Sequence, residues 1–353
     1  MRILVMLLLP IGDTLFATPA LHALRERYPG ARITALVYPS NKGVLDNNQD
    51  VDDFLLWPGR ADWPWLGALA RLSWKLRRAR FQLSIEFNTY TWWLTWLCAI
   101  PRRSALELPK LWWLLPSAGG RWRRRHAVEH FSDPVRRLGI PVEDMRLRIE
   151  PSAIEKAQAR ALLDEYGVKP GDLLVGMHPG GNAVWGRKRW GVAGFSHVAD
   201  ALSGRPGAWI VLMGGKDDAS LAAGIAARSS ARIINVAGQT TLGETTALIA
   251  CCSLFIGNDS SLLHIAAAVG TRVVGLYGLT DPRSYRPWLP GGREWVDYAV
   301  VRPTLPCACC FTFPGGMTLA AWIRCPFCPG MQAITPEQVL EAAEQLLRNR
   351  QPC

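Results

Sequence analysis

Two hydrophobic patterns take turns along the chain: short continuous apolar runs of strand length, and longer stretches with apolar residues at i, i+3, i+4 and i+7, the spacing of a helix with one buried face. Residues 3–9 form the first strand-like run. It is followed by a turn at Pro10-Ile11-Gly12-Asp13 and a helix that carries Leu15, Leu21 and Leu24 toward a core. Residues 32–37 read as a second strand, so one βαβ unit is visible at the outset. Residues 66–80 predict a helix with Leu66, Leu69, Leu72 and Leu76 on one side and Lys75, Arg77, Arg78 and Arg80 gathered toward its end, before a strand over 81–87. A helix over 152–166 ends at Gly167, and strands follow over 173–177, 209–213 and 233–236. A helix over 242–251 precedes two more strands, 254–256 and 272–277, which bracket a helix with Leu262, Ile265, Ala266 and Val269 on its buried face. The last helix runs from Thr335, its N-cap, with Pro336 at the first helical position, to Leu347.

Strands alternating with helices imply parallel α/β sheets. The 353 residues are more than one ordinary domain and most simply give two. We place the first at 1–165, the second at 166–334, and a C-terminal helical segment at 335–353. Charge separates the halves. Of the net +11, residues 1–150 hold 22 Lys plus Arg against 14 Asp plus Glu, and ten of the sixteen Trp lie between Trp57 and Trp122. Such a half suits an acidic substrate, an anionic membrane surface or nucleic acid. Tryptophan beside arginine favours lipid, and the runs Trp92 to Leu97 and Leu111 to Leu115, with four arginines around Trp122, suggest an exposed aromatic and basic lip. A core helix with a solvated basic face is the plainer account of 66–80. Pro101-Arg102-Arg103 interrupts the apolar run after Trp92, so no stretch reaches the roughly 18–20 residues that span a bilayer. The opening residues have the look of a short signal peptide, but they run directly into Gly12-Asp13 and a helical pattern, as a first strand does. Nine cysteines without the framework of a small secreted domain indicate a reducing cytoplasm.

Candidate chemistry gathers on the loops after the strands. Residues 257–264, Gly-Asn-Asp-Ser-Ser-Leu-Leu-His, join a strand to a helix whose first amides, at Ser261 and Leu262, lack intrahelical partners. A phosphate or diphosphate fits such an end, and so does a capped helix that binds nothing. Gly180 and Gly181, in His178-Pro179-Gly180-Gly181-Asn182, permit close approach of backbone to a ligand. Lys188, within WGRKRW, is a cation able to neutralise a diphosphate leaving group, with Arg187 and Arg189 as lesser candidates; a solvated basic loop is the alternative. Gly214-Gly215-Lys216-Asp217-Asp218 resembles a dinucleotide loop only in part, since no complete G-x-G-x-x-G is present. Asp13 stands at the carboxyl end of the first strand, where it serves either as a helix cap or as a catalytic carboxylate. Cys307, Cys309, Cys310, Cys325 and Cys328, spaced C-x-C-C-x14-C-x-x-C, suit a structural zinc or an iron–sulfur site, or are simply clustered thiols.

The run 257–264, followed by Gly275-Leu276-Tyr277-Gly278 and Thr280-Asp281-Pro282, resembles the donor-site signature of the lipopolysaccharide heptosyltransferases, glycosyltransferase family 9. That family commonly has Gly where this chain has Ser261. The likeness covers nearly the whole chain and is strongest after residue 173. It implies an α/β fold of the GT-B type, two Rossmann-like domains facing each other across a cleft, with the C-terminal helix of 335–353 packing back toward the first domain. It implies inverting, metal-independent transfer of heptose from a nucleotide-activated donor, ADP-heptose, to the inner core of lipopolysaccharide at the cytoplasmic membrane face. On the matching positions, Asp13 is the general base and Lys188 the donor-phosphate lysine. Asp217 or Asp218 is the ribose-binding acid, and Asp259, Ser260, Ser261, His264, Gly180, Gly181 and Gly214 complete the donor site. No cofactor is required. The expected partners are the nucleotide sugar, the acidic lipopolysaccharide acceptor and an anionic membrane surface in peripheral contact, without nucleic acid. A GT-B enzyme using another nucleotide sugar, a nucleotide-sugar epimerase and a nucleic-acid-binding protein that uses the Arg and Trp of 71–125 are the competing readings.

Overall fold

Strands covered by helices on both faces must be apolar on both, and the apolar runs become such strands. In the computed structural model, β1 (Arg2–Leu7), β2 (Arg32–Val37), β3 (Asp53–Leu56), β4 (Leu83–Glu86) and β5 (Arg102–Ala105) form an all-parallel sheet in the order β3-β2-β1-β4-β5. The second sheet, also parallel, contains β6 (Leu173–His178), β7 (Ala208–Leu212), β8 (Ile233–Asn235), β9 (Leu254–Asn258), β10 (Arg272–Leu276) and β11 (Tyr298–Val301) in the order β11-β10-β9-β6-β7-β8. Strand order reverses between β1 and β4 in one sheet and between β6 and β9 in the other. Open α/β sheets bind ligands at the carboxyl ends of strands beside such reversals. The structure describes residues 1–58, 65–88, 91–106, 125–181, 187–303, 311–312, 316–317 and 328–348.

The chain divides into two units, Met1–Arg121 with Ala127–Ile149, and Trp122–His126 with Glu150–Cys353. The division therefore falls before the expected 165/166 boundary. The helix Ala153–Glu165, closed by a capping box between Ser152 and Glu155, belongs to the second unit because it lies flat on the helix Leu242–Cys251. At their crossing a side-chain carbon on Gly243 would overlap the Glu155 carboxylate. The last helix, Pro336–Arg348, is part of the second unit. Its apolar stripe of Val339, Ala342, Ala343, Leu346 and Leu347 is buried in the second unit's own core with Val198 and Leu202 of the helix Val192–Ser203 and with Val274 and Leu276 of β10. An amphipathic helix goes where its apolar face is covered, and here the second sheet covers it.

In the first unit the helix Trp65–Ala79 buries Leu72 and Leu76 against Leu94 and Cys98 of the next helical segment, and against Leu4 and Met6 of β1. The aromatic run after residue 91 is a short helix, Trp92–Leu97, with Trp93 partly buried on that core and Trp96 exposed. The runs at 111–115 and 121–124 lie outside the described residues. Among the described residues no helix is long and apolar enough to cross a membrane.

Candidate active site

At the reversal point of the second sheet, β6 ends in His178 and β9 in Asn258, with His178 in register with Gly257. Asn258 is fully buried. Its amide nitrogen donates to the carbonyls of Pro179 (2.8 Å) and Gly180 (3.0 Å), and its amide oxygen accepts from the Trp190 backbone N–H (3.0 Å). One side chain thus ties the loop after β6 to the segment that carries Lys188. Trp190 is anchored in turn by its indole N–H on the Ile334 carbonyl, 2.9 Å away, and by edge contact with Phe195.

Asp218 is the second organiser. Its Oδ2 accepts from His178 Nε2 (3.2 Å) and the Gly215 N–H (3.1 Å), and its Oδ1 from Arg189 (3.3 Å) and the Gly181 N–H (3.4 Å). Burial alone would raise its pKa. The His178 hydrogen bond, with the Gly215 and Gly181 amides, outweighs burial and holds the carboxyl below the ordinary carboxylate range. A side-chain carbon at Gly180 would overlap this carboxylate, and one at Gly214 would sit 2.8 Å from Asp218 Cβ. The two glycines therefore admit Asp218. Asp218 is buried within the loop network, whereas Asp217, beside it, is exposed.

The loop-to-helix junction after β9 has the expected form with a different distribution of work. Ser260 is the N-cap of the helix Ser261–Ala268, yet its hydroxyl makes no capping bond; it lies 2.8 Å from His178 Nδ1. Asp259 is buried, 2.8 Å from Lys188 Nζ through Oδ2 and 3.4 Å from His264 Nε2 through Oδ1. Burial opposes its charge, but Lys188 and His264 prevail and keep it ionised far below the usual carboxylate range. Asp259 and His264, donor contacts by the resemblance, also form a buried brace of Lys188. Lys188 keeps 19% of its side chain exposed, and its ammonium also faces the Tyr285 ring at 5.8 Å. Ser260 and Ser261 are half-exposed at the helix start. A partly neutralised lysine, a half-exposed hydroxyl and first-turn amides make this edge suited to an anion.

In the first unit Asp13 lies in the opening turn of the helix Ile11–Phe16, just past the carboxyl end of β1, and is half-buried. Pro10 occupies the N-cap, so Asp13 is not the cap residue. Asn41, which sequence reasoning passed over, fixes this turn: its amide nitrogen lies 2.7–2.8 Å from the Leu7 and Leu9 carbonyls and from Thr14 Oγ1. A second residue without a sequence signal is His126. In the second unit its Nε2 donates to the Arg286 carbonyl at 2.9 Å and its ring lies 4.5 Å from Trp288. Burial pushes its pKa down to about 3. Of the other candidates, Arg187 is half-buried, and Arg189 holds the Gly181 carbonyl (3.0 Å) as well as Asp218. Asn182, Cys307, Cys309, Cys310 and Cys325 lie outside the described residues, while Cys328 is buried at the start of the helix Pro329–Gln332.

Residues 121–296 match the family described as Glycosyltransferase family 9 (heptosyltransferase). The chain is 30% identical over 308 residues to lipopolysaccharide heptosyltransferase 3 of Escherichia coli, covering 78% of this chain and 83% of that protein. Among solved structures, a glycosyl transferase family 9 protein from Veillonella parvula superposes with a TM-score of 0.81 at 24% identity, over 99% of this chain and 98% of the other. The E. coli ADP-heptose lipopolysaccharide heptosyltransferase II superposes with a TM-score of 0.73 at 22% identity, over 99% of both chains.

Proposed function

Because the chain belongs to glycosyltransferase family 9, the heptosyltransferases, we propose that this GT-B enzyme transfers a heptose from ADP-heptose to a hydroxyl of the lipopolysaccharide inner core, with inversion at the sugar. The observation that carries the donor half is the Lys188–Asp259–His264 brace beside the start of the helix Ser261–Ala268. A diphosphate there meets one fixed ammonium and first-turn amides, which stabilise the charge that grows as the sugar departs. Asp259 keeps Lys188 in place. Asp217 takes the ribose hydroxyls. Asp13, from the first domain, accepts the proton of the attacking hydroxyl, with Asn41 fixing the turn that carries it. These steps require no metal.

The acceptor is acidic and lipid-borne, and the first domain is the basic one. Its helix Trp65–Ala79 turns Trp74, Lys75, Arg77 and Arg78 to solvent, with the Arg78 guanidinium 4.3 Å from the Trp74 ring centre, and the neighbouring segment exposes Trp96 and Leu97. Aromatic rings next to cations suit the headgroup level of an anionic bilayer, and on this ground the enzyme works as a peripheral protein on the cytoplasmic face of the inner membrane. Binding to anionic vesicles that weakens with added salt is the expected result, and equal binding to neutral vesicles contradicts it. The cysteine spacing supports a structural zinc or iron–sulfur site, for which metal analysis of anaerobically purified protein should give close to one site equivalent. The deciding experiment for function is incubation with ADP-heptose and an inner-core acceptor. A product heavier by one heptose, with the anomeric configuration inverted, supports the reading. Transfer from UDP- or GDP-sugars alone, or epimerisation of the donor without transfer, refutes it.

A further inference from the structure

An N-cap serine ordinarily accepts a hydrogen bond from a first-turn amide of its own helix. Ser260 does not; its Oγ lies 2.8 Å from His178 Nδ1, and His178 Nε2 lies 3.2 Å from Asp218 Oδ2. Carboxylate, imidazole and hydroxyl are therefore lined up from the interior of the loop network to the half-exposed edge of the site. Asp218 is ionised and can only accept, so Nε2 carries a hydrogen. Two arrangements remain at the other nitrogen. With neutral imidazole, Nδ1 is bare and accepts the Ser260 O–H, which turns the oxygen's lone pairs outward, the wrong polarity for an anion. With imidazolium, Nδ1–H donates to Ser260 Oγ, and the hydroxyl hydrogen is free to point outward.

We propose that His178 is a positioning residue whose protonation turns the Ser260 hydroxyl into a donor to the diphosphate, so that the enzyme takes up one proton at His178 as the nucleotide sugar binds. This rests on the donor reading given above. The proton adds to imidazole Nδ1, no covalent bond is made or broken elsewhere, and it leaves when the diphosphate product leaves. The charges facing His178 act in both directions. Asp218 and the incoming diphosphate favour the imidazolium; Arg189, 3.3 Å from Asp218, and Lys188, 2.8 Å from the Asp259 that precedes Ser260, oppose it. Asp259 is already neutralised by Lys188 and His264, and Lys216 and Asp217 are exposed on the turn before Asp218. The bound anion shifts the balance toward the charged ring, and donor affinity strengthens as pH falls.

The test is isothermal titration of the full chain with ADP-heptose in the absence of acceptor, from about pH 6 to about pH 8.5, in two buffers of different ionisation enthalpy at each pH. The diphosphate of this donor is a diester, so the ligand has no phosphate that titrates in that range. The expected result is buffer-dependent heat equivalent to uptake of up to one proton, and affinity that weakens by up to about tenfold per pH unit in the upper part of the range. His178→Gln keeps an amide that can hydrogen-bond both neighbours but cannot gain charge, so its affinity should match the weak high-pH affinity of the wild type at every pH. Ser260→Ala should likewise lose most of the slope. A purely structural role for His178 would lower affinity while leaving the slope and the buffer-dependent heat in place, and that result overturns the proposal, as does flat binding by the wild type. Absence of ADP-heptose binding at any pH overturns the donor reading together with this inference. Should His178→Gln fail to fold, the wild-type heats and Ser260→Ala decide.

Discussion

Replacing Lys188 by Met removes the ammonium that stands 2.8 Å from Asp259 Oδ2 while keeping an apolar stem of similar length. At that separation and an effective dielectric constant of about 20, the attraction is roughly 6 kcal/mol before the desolvation of either charge is counted. Asp259 is 5% exposed and Lys188 19%, and removing one partner of a buried pair costs about 3–5 kcal/mol because a charge is left stranded. Residual exposure of Lys188 and support from His264 at 3.4 Å put the expected loss near the lower end, about 3 kcal/mol, measured by urea unfolding. The pH dependence has a definite sign. In the wild type the Asp259 pKa is depressed, so its contribution is present above the ordinary carboxylate value and is lost as pH falls through the folded value. Without Lys188, burial pushes the Asp259 pKa upward, the folded variant binds a proton more tightly than it did, and the difference from wild type shrinks on acidification. Lys188→Met with Asp259→Asn removes the stranded charge and should recover most of the stability while donor affinity stays weak. A single variant within about 0.5 kcal/mol of wild type, or a double variant no more stable than the single one, refutes the brace. Wild-type donor affinity in the double variant refutes the donor role of Lys188.

Asp13→Asn keeps the size of the side chain and removes the carboxylate base, so turnover should fall by about 10² to 10⁴ with donor affinity and melting temperature near wild type; unchanged turnover assigns the base elsewhere. His126, its pKa depressed to about 3 by burial, supports the fold while neutral. Stability is therefore complete above about pH 6.5 and declines as pH falls toward 3, by about 2 kcal/mol between pH 6.5 and 5, and His126→Phe should flatten that part of the profile. Gly180→Ala forces a methyl group into the Asp218 carboxylate and should cost about 1–3 kcal/mol in unfolding experiments, while an equally stable variant means that the loop relaxes without loss.

Strands and helices of the second domain were legible because burial on both faces writes itself as uninterrupted apolar runs and 3.6-residue spacing; the helix Leu242–Cys251 falls at its expected limits, and β9 and β10 within two residues of theirs. Destinations were less legible than elements. The stripe of the last helix states that one face is buried and says nothing about which sheet buries it, and the helix after Ser152 is as compatible with one domain as with the other. The same distinction separates the site residues that sequence identified from those it missed. Lys188 and Ser260 could be picked because a cation and a hydroxyl suit an anion site, and Asp259 and His264 through the resemblance; the structure adds that Asp259 pairs with both Lys188 and His264. Nothing in the run Gly257 to His264 reveals that Asp259 faces inward, since a carboxylate at a helix start is equally at home capping, binding or bracing. Asn258, Asp218 and Asn41 act through contacts that span tens of residues of chain, made by buried polar groups whose bonds lead to backbone carbonyls and amides. Such bonds have no periodicity, and only the packed fold makes them necessary: an unpaired amide or carboxylate in those positions would cost about 1–3 kcal/mol or more. The approach of the Asp218 side chain to Gly180 and Gly214, within the same domain, has no signal in the sequence. The donor edge is thus assembled around Asp218 and Asn258, which position the exposed residues, and substitutions at these two should alter donor geometry even where the residues they hold are unchanged.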